Sequence, residues 1–294
     1  MREDQGRVAI VTGAGKGLGA AFARALAATG ARVVVNNRAR RGQPSSAEAV
    51  CAAICAAGGE AVAELSDITD ADAPAAILAR ALESFGRIDA VILNAGISGP
   101  VARVEATTAA DLRGVMETNF FATAALAQAA LPHLLASDAG RLVFVSSSSG
   151  LHGLRGRAPY AASKGAINGF ALSLADEVRR TPLRVNILCP YAATPMTAAE
   201  IGAGDPLLSP DRAAAMAVFL ASAQCGLNGE IHLAGARRYR RARTLEAAGA
   251  SAPTDDPAWI AAHLGAIADM TGAREFTGAQ AAFADLYADA RASE

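Results

Sequence analysis

The stretch Val8-Ala9-Ile10-Val11-Thr12-Gly13-Ala14-Gly15-Lys16-Gly17-Leu18-Gly19, continued by an alanine-rich run to Ala28, decides the fold. Val8 to Val11 is a short apolar run of strand length. Glycines at alternate positions follow, and the run from Ala20 to Ala28 reads as a helix that Gly30 ends. A strand that turns through glycines into a helix is suited to holding phosphate. Glycine permits positive φ and close backbone approach, and the helix N-terminus offers unpaired N–H groups and partial positive charge. Gly13, Gly15, Lys16, Gly17, Leu18 and Gly19 are the candidate residues there.

Outward from that turn, apolar runs of four to six residues alternate with helical stretches. Strands are predicted at 31–35, 60–65, 90–93, 141–145, 184–188 and 230–233. Ser45 and Glu48 have capping-box spacing and start a helix to about Ala57. Further helices are predicted at about 70–85, 109–136 with Pro132 as a kink or break, 159–179 and 210–221. Strand, helix, strand in this order calls for right-handed crossovers and an α/β fold, a doubly wound parallel sheet with helices on both faces. Residues 1–235 are expected to form one dinucleotide-binding and catalytic domain of Rossmann type, and 236–294 a C-terminal helical extension packing on that domain or on a neighbouring subunit. The extension opens with Arg237, Arg238, Arg240, Arg241 and Arg243, and Thr254 is the expected N-cap of a helix carrying Trp259, His263 and Ile267.

Composition removes several classes. Of 294 residues, 52% are hydrophobic and 19% charged, unlike a disordered chain. The net charge of −1, from 27 basic and 28 acidic residues, lacks the basic excess of a nucleic-acid binder. Mean hydropathy is +0.24, yet no apolar stretch reaches the ~18 residues of a membrane span. The polar start, Met1 to Gly6, runs straight into a strand, so no signal peptide and a cytoplasmic location are expected. The four cysteines are Cys51, Cys55, Cys189 and Cys225; they are read as reduced, small buried residues, and no metal site is expected.

The end of the second strand bears on the choice of dinucleotide. An acid there would hold the ribose hydroxyls of NAD, whereas arginine suits the extra phosphate of NADP. This chain has Asn36, Asn37 and Arg38, with Arg40 and Arg41 close by and Lys16 in the glycine turn, which favours NADP, with NAD the alternative. Tyr160 and Lys164, at i and i+4, share one helix face. A free tyrosine has a pKa of about 10, and lowering it by about 3 units takes about 4 kcal/mol of differential interaction. A neighbouring ammonium and an oxidised nicotinamide supply that in kind, which would make Tyr160 a general acid or base. Ser146 to Ser149 follow the strand 141–145 and fall at the carboxyl end of the sheet, where open α/β sheets bind ligands.

Together, Thr12-Gly13-x-x-x-Gly17-x-Gly19, Asn94-Ala95-Gly96, Ser147 thirteen residues before Tyr160, and Tyr160-x-x-x-Lys164 resemble the short-chain dehydrogenase/reductase family over about Arg7 to Leu233. The resemblance implies an oxidoreductase that moves a hydride between a nicotinamide cofactor and a secondary alcohol or ketone. It implies that Ser147 bonds the substrate oxygen, Tyr160 transfers the proton, Lys164 holds the ribose and lowers the tyrosine pKa, and Asn119 bends its helix and orders a water of the relay. Asp67 with Ile68 would meet the adenine, Asn94, Ala95 and Gly96 the adenosine side, and Pro190 and Thr194 the nicotinamide. Where the family usually has Pro-Gly, this chain has Pro190-Tyr191. The form of 190–197 and the tail are similar to a narrower group, the (3R)-hydroxyacyl-CoA dehydrogenase unit of the multifunctional β-oxidation enzyme. That likeness suggests a 3-hydroxyacyl or 3-ketoacyl thioester among the candidate substrates. A homodimer or homotetramer is a family-level expectation, and neither nucleic acid nor membrane is an expected partner.

Overall fold

The computed structural model describes residues 4–194 and 205–292. Positions 195–197 of the 190–197 segment lie outside the described residues. The chain divides into two compact units, one ending at Arg241 and one beginning at Ala242.

In the first unit the predicted alternation is present. β1 (Val8–Val11), β2 (Arg32–Asn36), β3 (Glu60–Glu64), β4 (Ala90–Leu93), β5 (Arg141–Val145), β6 (Arg184–Pro190), β7 (Ile231–Gly235) and β8 (Arg238–Ala242) form one sheet. Its order is β3-β2-β1-β4-β5-β6-β7-β8, and β1 to β7 pair in parallel. From β1 the chain winds outward to β3, then returns to add β4 on the opposite side of β1. Ile10 therefore pairs with Val34 on one flank and Val91 on the other. The loops after β1 and β4 part at this reversal and leave a crevice at the carboxyl ends of the strands.

The helices cover both faces. α1 (Gly17–Ala28), α2 (Ser46–Ala56) and the helix Asp211–Ala221 bury Phe22, Leu26, Val50 and Leu220 against Val11, Val33, Val35 and Ile92. Their alanines allow close approach of helix to sheet, so a chain with few aromatics still fills its core. α3 (Ala73–Phe85), α4 (Ala109–Met116), α5 (Ala122–Ala136), the short α6 (Ser149–His152) and α7 (Ala158–Glu177) complete the unit.

Three expectations need correction, and at Pro132 the break is excluded. The predicted helix 109–136 is not continuous: a π-helical turn, Glu117–Phe121, separates α4 from α5. Pro132 lies inside α5 without ending it. The arginine-rich opening of the tail is strand β8, joined to β7 by Ala236 and Arg237, both at positive φ. A two-residue connection makes this an antiparallel hairpin added to a parallel sheet. In the second unit the N-cap is Asp256, whose side chain accepts from the Ala258 N–H at 2.9 Å, and not Thr254. That unit also carries Leu264–Ile267 and Ala279–Ala292 as helices. Trp259 stacks on His263, and Arg274 bridges Asp285 and Asp289 at 2.9 and 2.6 Å.

Opposite the crevice, Asp89 ties the sheet's lower edge. Its fully buried carboxylate accepts from Val8 N–H at 2.9 Å, from Ser137 Oγ at 2.7 Å and from two nitrogens of Arg87 at 2.8 and 2.7 Å. Burial works to raise the Asp89 carboxyl, but the bonds from Arg87, Ser137 and Val8 outweigh it and hold it below the usual range. A depressed carboxyl contributes stability above its unfolded pKa and loses it as pH falls through the folded value. Asp89→Ala is expected to cost about 3–5 kcal/mol and lower the melting temperature by roughly 10 °C or more. Thermal unfolding from pH 7 to 3 checks this: the variant should also show the shallower loss on acidification.

Candidate active site

The crevice is a cavity of about 600 Å³. At one end it is lined by Gly13, Lys16, Gly17, Leu18 and Gly19, and by Asn37, Arg38, Asp67 and Ile68. Asn94, Ala95 and Gly96 form its middle, and Ser147, Tyr160, Lys164, Pro190 and Thr194 the other end. Gly15 and Asn119 do not line it.

The glycine turn is held from β4. Thr12 Oγ1 accepts from the N–H groups of Asn94 and Ala95 at 3.0 and 3.1 Å, and Asn94 Nδ2 donates to Thr12 O at 2.9 Å. Gly13 has φ +62°, and a Cβ there would lie 2.8 Å from Ala95 Cα, so no other residue fits this turn. α1 then begins with Lys16 as N-cap, no capping side chain and no acid in its first turn. Gly17, Leu18 and Gly19 of that first turn line the cavity, and their N–H groups have no partner within the helix, as an anion site requires.

At the end of β2 the buried Asn36 donates from Nδ2 to Glu64 Oε2 at 2.6 Å, and Asn37 Nδ2 donates to Ser46 Oγ at 2.8 Å. Arg38 pairs with Asp67 at 2.8 Å. Burial works to raise the Asp67 carboxyl; bonds from Arg38 and Thr69 outweigh it and hold it low. Lys16, Arg38 and Arg40 all line this end.

At the other end α7 places Tyr160 and Lys164 on one face, with Lys164 Nζ 5.7 Å from the tyrosine ring centre. Lys164 is buried, only 4% exposed, and donates to Val145 O at 2.8 Å. Burial pulls its pKa down from 10.5 to about 8. Cys189, beneath it, is pushed up to about 11 by burial. Ser147 Oγ accepts from both the N–H and the hydroxyl of Ser149, at 3.2 and 2.9 Å, which leaves its own O–H to donate. The neighbouring serines support the site: Ser146 Oγ donates to Lys164 O at 3.2 Å, and Ser149 starts α6. A Cβ at Gly150 would sit 2.7 Å from the Lys164 carbonyl carbon, so glycine lets α6 lie directly on α7.

Asn119 stands behind this end, wholly buried in the π turn. Its amide clamps Ile97, accepting from N–H at 2.8 Å and donating to the carbonyl at 2.9 Å, and donates to Ser163 Oγ at 2.9 Å. Ser163 Oγ donates to Tyr160 O at 2.8 Å. Sequence reading missed Ser163, Arg157 and Ser98; the signal for the first two was their spacing of three residues either side of Tyr160.

The short chain dehydrogenase family matches residues 7–204, and the chain belongs to it. Among similar proteins is peroxisomal multifunctional enzyme type 2 of Drosophila melanogaster, 33% identical over 292 residues that cover 91% of this chain and 48% of that enzyme. The chain thus spans about half that relative's length. Cis-4-hydroxycyclohexanecarboxylate dehydrogenase of Sinomonas cyclohexanicum is 37% identical over 227 residues, 74% of this chain and 89% of that one. A short chain dehydrogenase of Mycobacterium avium has a crystal structure that superposes with a TM-score of 0.80 at 31% identity, covering 93% and 98% of the two chains. The chain is therefore an oxidoreductase of this family, and the family implies a nicotinamide dinucleotide. The uncapped helix end and the cations beside it fit that group's phosphates. No described helix is long and apolar enough to cross a membrane.

A lysine whose folded pKa lies below its unfolded value carries a penalty that is full below pH 8 and relieved as pH rises towards 10.5. Wild-type stability to denaturant should gain about 3 kcal/mol over that window relative to Lys164→Met. Urea titrations of both proteins at pH 7 and 10 measure the difference; parallel curves would remove the penalty.

Proposed function

We propose that this chain is an NADP-preferring oxidoreductase interconverting a secondary alcohol and its ketone. One observation carries the reading: a single cavity has a cationic, uncapped helix end at one extremity and Ser147, Tyr160 and Lys164 at the other. When bound, the nicotinamide would supply or accept the hydride. On reduction, Tyr160 gives its proton to the carbonyl oxygen while Ser147 donates a hydrogen bond to the same oxygen. Lys164 holds the ribose hydroxyls and favours the phenolate through its charge. Asn119 acts as a positioning residue through Ile97 and Ser163, fixing the backbone on both sides of Lys164.

Preference for NADP rests on Asn37, where an acid would suit NAD, and on Lys16, Arg38 and Arg40 beside it. The Arg38–Asp67 pair does not forbid it. Arg38 is half exposed, exposed pairs are worth about 1 kcal/mol or less, and a 2′-phosphate brings nearly two charges. Asp67, Ile68 and Asn94 to Gly96 would flank the adenosine, and Pro190 and Thr194 the nicotinamide. The resemblance of the 190–197 form and the tail to the (3R)-hydroxyacyl-CoA dehydrogenase unit suggests a 3-ketoacyl thioester as one candidate substrate. We place the enzyme in the cytoplasm as a homodimer or homotetramer, with the residues from Ala242 onward as the C-terminal extension.

Tyr160→Phe is expected to lower kcat for ketone reduction by about 10²–10⁴-fold while dinucleotide affinity stays within about twofold. Steady-state absorbance and fluorescence titration check the two halves, and wild-type turnover in the variant would defeat the proton-transfer role. Arg38→Ala should raise KM for NADPH by about tenfold and leave that for NADH nearly unchanged. If both shift together, or if NADH is the better cofactor of the wild type, the preference is wrong.

A further inference from the structure

Ser147 is held by a neighbour that has no part in the chemistry above. Ser149 begins α6 and is buried, only 5% exposed, and it does not line the cavity. Both of its hydrogen-bond donors are nevertheless given to the one side chain that does. Its N–H donates to Ser147 Oγ at 3.2 Å and its hydroxyl to the same oxygen at 2.9 Å. The turn that presents them is closed on itself. Gly150 N–H donates to Ser147 O at 3.0 Å, and Gly153 N–H to Ser149 O at 2.9 Å. It is also seated on α7: Gly150 lies against the Lys164 backbone, and Asn168 Nδ2 donates to Gly150 O at 3.3 Å. Two donors from one buried residue are thus aimed at one oxygen, on a backbone held from both ends.

A serine hydroxyl has one proton and two acceptor lone pairs. At Ser147 both lone pairs receive donors from Ser149, so only the proton is left for a ligand. We propose that Ser149 is a positioning residue that makes Ser147 a donor only, and thereby sorts the proton on the reacting oxygen. This rests on the oxidoreductase reading above and adds a residue to it. A ketone oxygen accepts from Ser147, and the bond tightens as that oxygen gains negative charge. A hydroxyl that itself accepts a hydrogen bond donates a stronger one, so Ser149 also strengthens this bond. A secondary alcohol carries its own proton, and Ser147 offers it no lone pair. The alcohol O–H is left to donate to Tyr160, the group that takes the proton on oxidation. Without the Ser149 hydroxyl one lone pair of Ser147 opens, and the alcohol then also binds with its proton turned to the wrong partner.

The test is Ser149→Ala, which removes the hydroxyl and keeps the N–H. Steady-state oxidation of a secondary alcohol and reduction of the matching ketone are compared at saturating dinucleotide. The reaction equilibrium is fixed, so kcat/KM should fall alike in both directions, by about threefold. The two directions should then split. For the ketone the fall lies in kcat, with KM unchanged. For the alcohol kcat falls further, by about tenfold, and KM drops about threefold, because misdirected binding takes turnover and not affinity. In a Ser147→Ala background the same change should cost less than twofold and leave KM for the alcohol where it was. A KM for the alcohol that does not drop, an equal change of KM in both directions, or an undiminished effect when Ser147 is already alanine would each overturn the assignment. If Ser149→Ala does not fold, Ser149→Cys, a weak donor of nearly the same shape, is judged on the same split. A wild type that turns over alcohols but shows no such split on substitution sinks the Ser149 assignment alone. No turnover of any alcohol or ketone by the wild type with either dinucleotide sinks the oxidoreductase reading itself.

Discussion

A primary amine taken out of water governs the reacting half of this molecule. Stripping an ammonium of its hydration costs several kcal/mol, and the bond from Lys164 to Val145 O returns only part of it. The neighbourhood is built to tolerate that deficit. Ser146 fixes the Lys164 carbonyl, Gly150 lets α6 press on α7, and the string Ile97–Asn119–Ser163–Tyr160 braces the same helix from the other side. The residual cost is the capacity to do work on an incoming group: a hydrogen-bonding group or an anion brought beside Lys164 would return some of what burial removed. A well-solvated lysine would gain far less from either.

The two ends of the cavity handle charge differently. The phosphate end relies on partial charges of backbone N–H groups with half-exposed side chains around them, where screening is strong and pairs such as Arg38–Asp67 are exchangeable. The reacting end relies on few, buried and oriented groups, where each charge acts over a longer range. Affinity and chemistry are thereby assigned to separate stretches of one cleft. The glycine turn can bind tightly without influencing the proton at Tyr160.

Much of this was legible in the amino-acid order. Strands 90–93 and 141–145 were read to the residue because they are buried on both faces and bounded by turn signals. The glycine turn, Ser147 and the Tyr160–Lys164 spacing were visible as local patterns. What escaped depends on tertiary context. The π turn at Glu117–Phe121 leaves helical periodicity intact on either side, so only the resemblance, through a bend at Asn119, pointed to it. Strand β8 is arginine-rich and carries its two turn residues, Ala236 and Arg237, in a conformation usually reserved for glycine or asparagine. Asn119 was picked out by resemblance, but that its amide spends itself on Ile97 and Ser163 is a fact of packing alone.

The reversal of winding at β1 also has a consequence for assembly. β1 meets β2 after a short excursion, Val8 pairing with Arg32, but it meets β4 only across about eighty residues, Ala9 pairing with Ala90. Loop closure over the longer span is entropically dearer and slower. The bonds that shape the glycine turn come from Asn94 and Ala95, on the far side of that closure. The phosphate cradle is therefore encoded first and completed late. A chain that ended at β3 would hold the residues of the glycine turn without Asn94 and Ala95, whose bonds to Thr12 give the turn its shape.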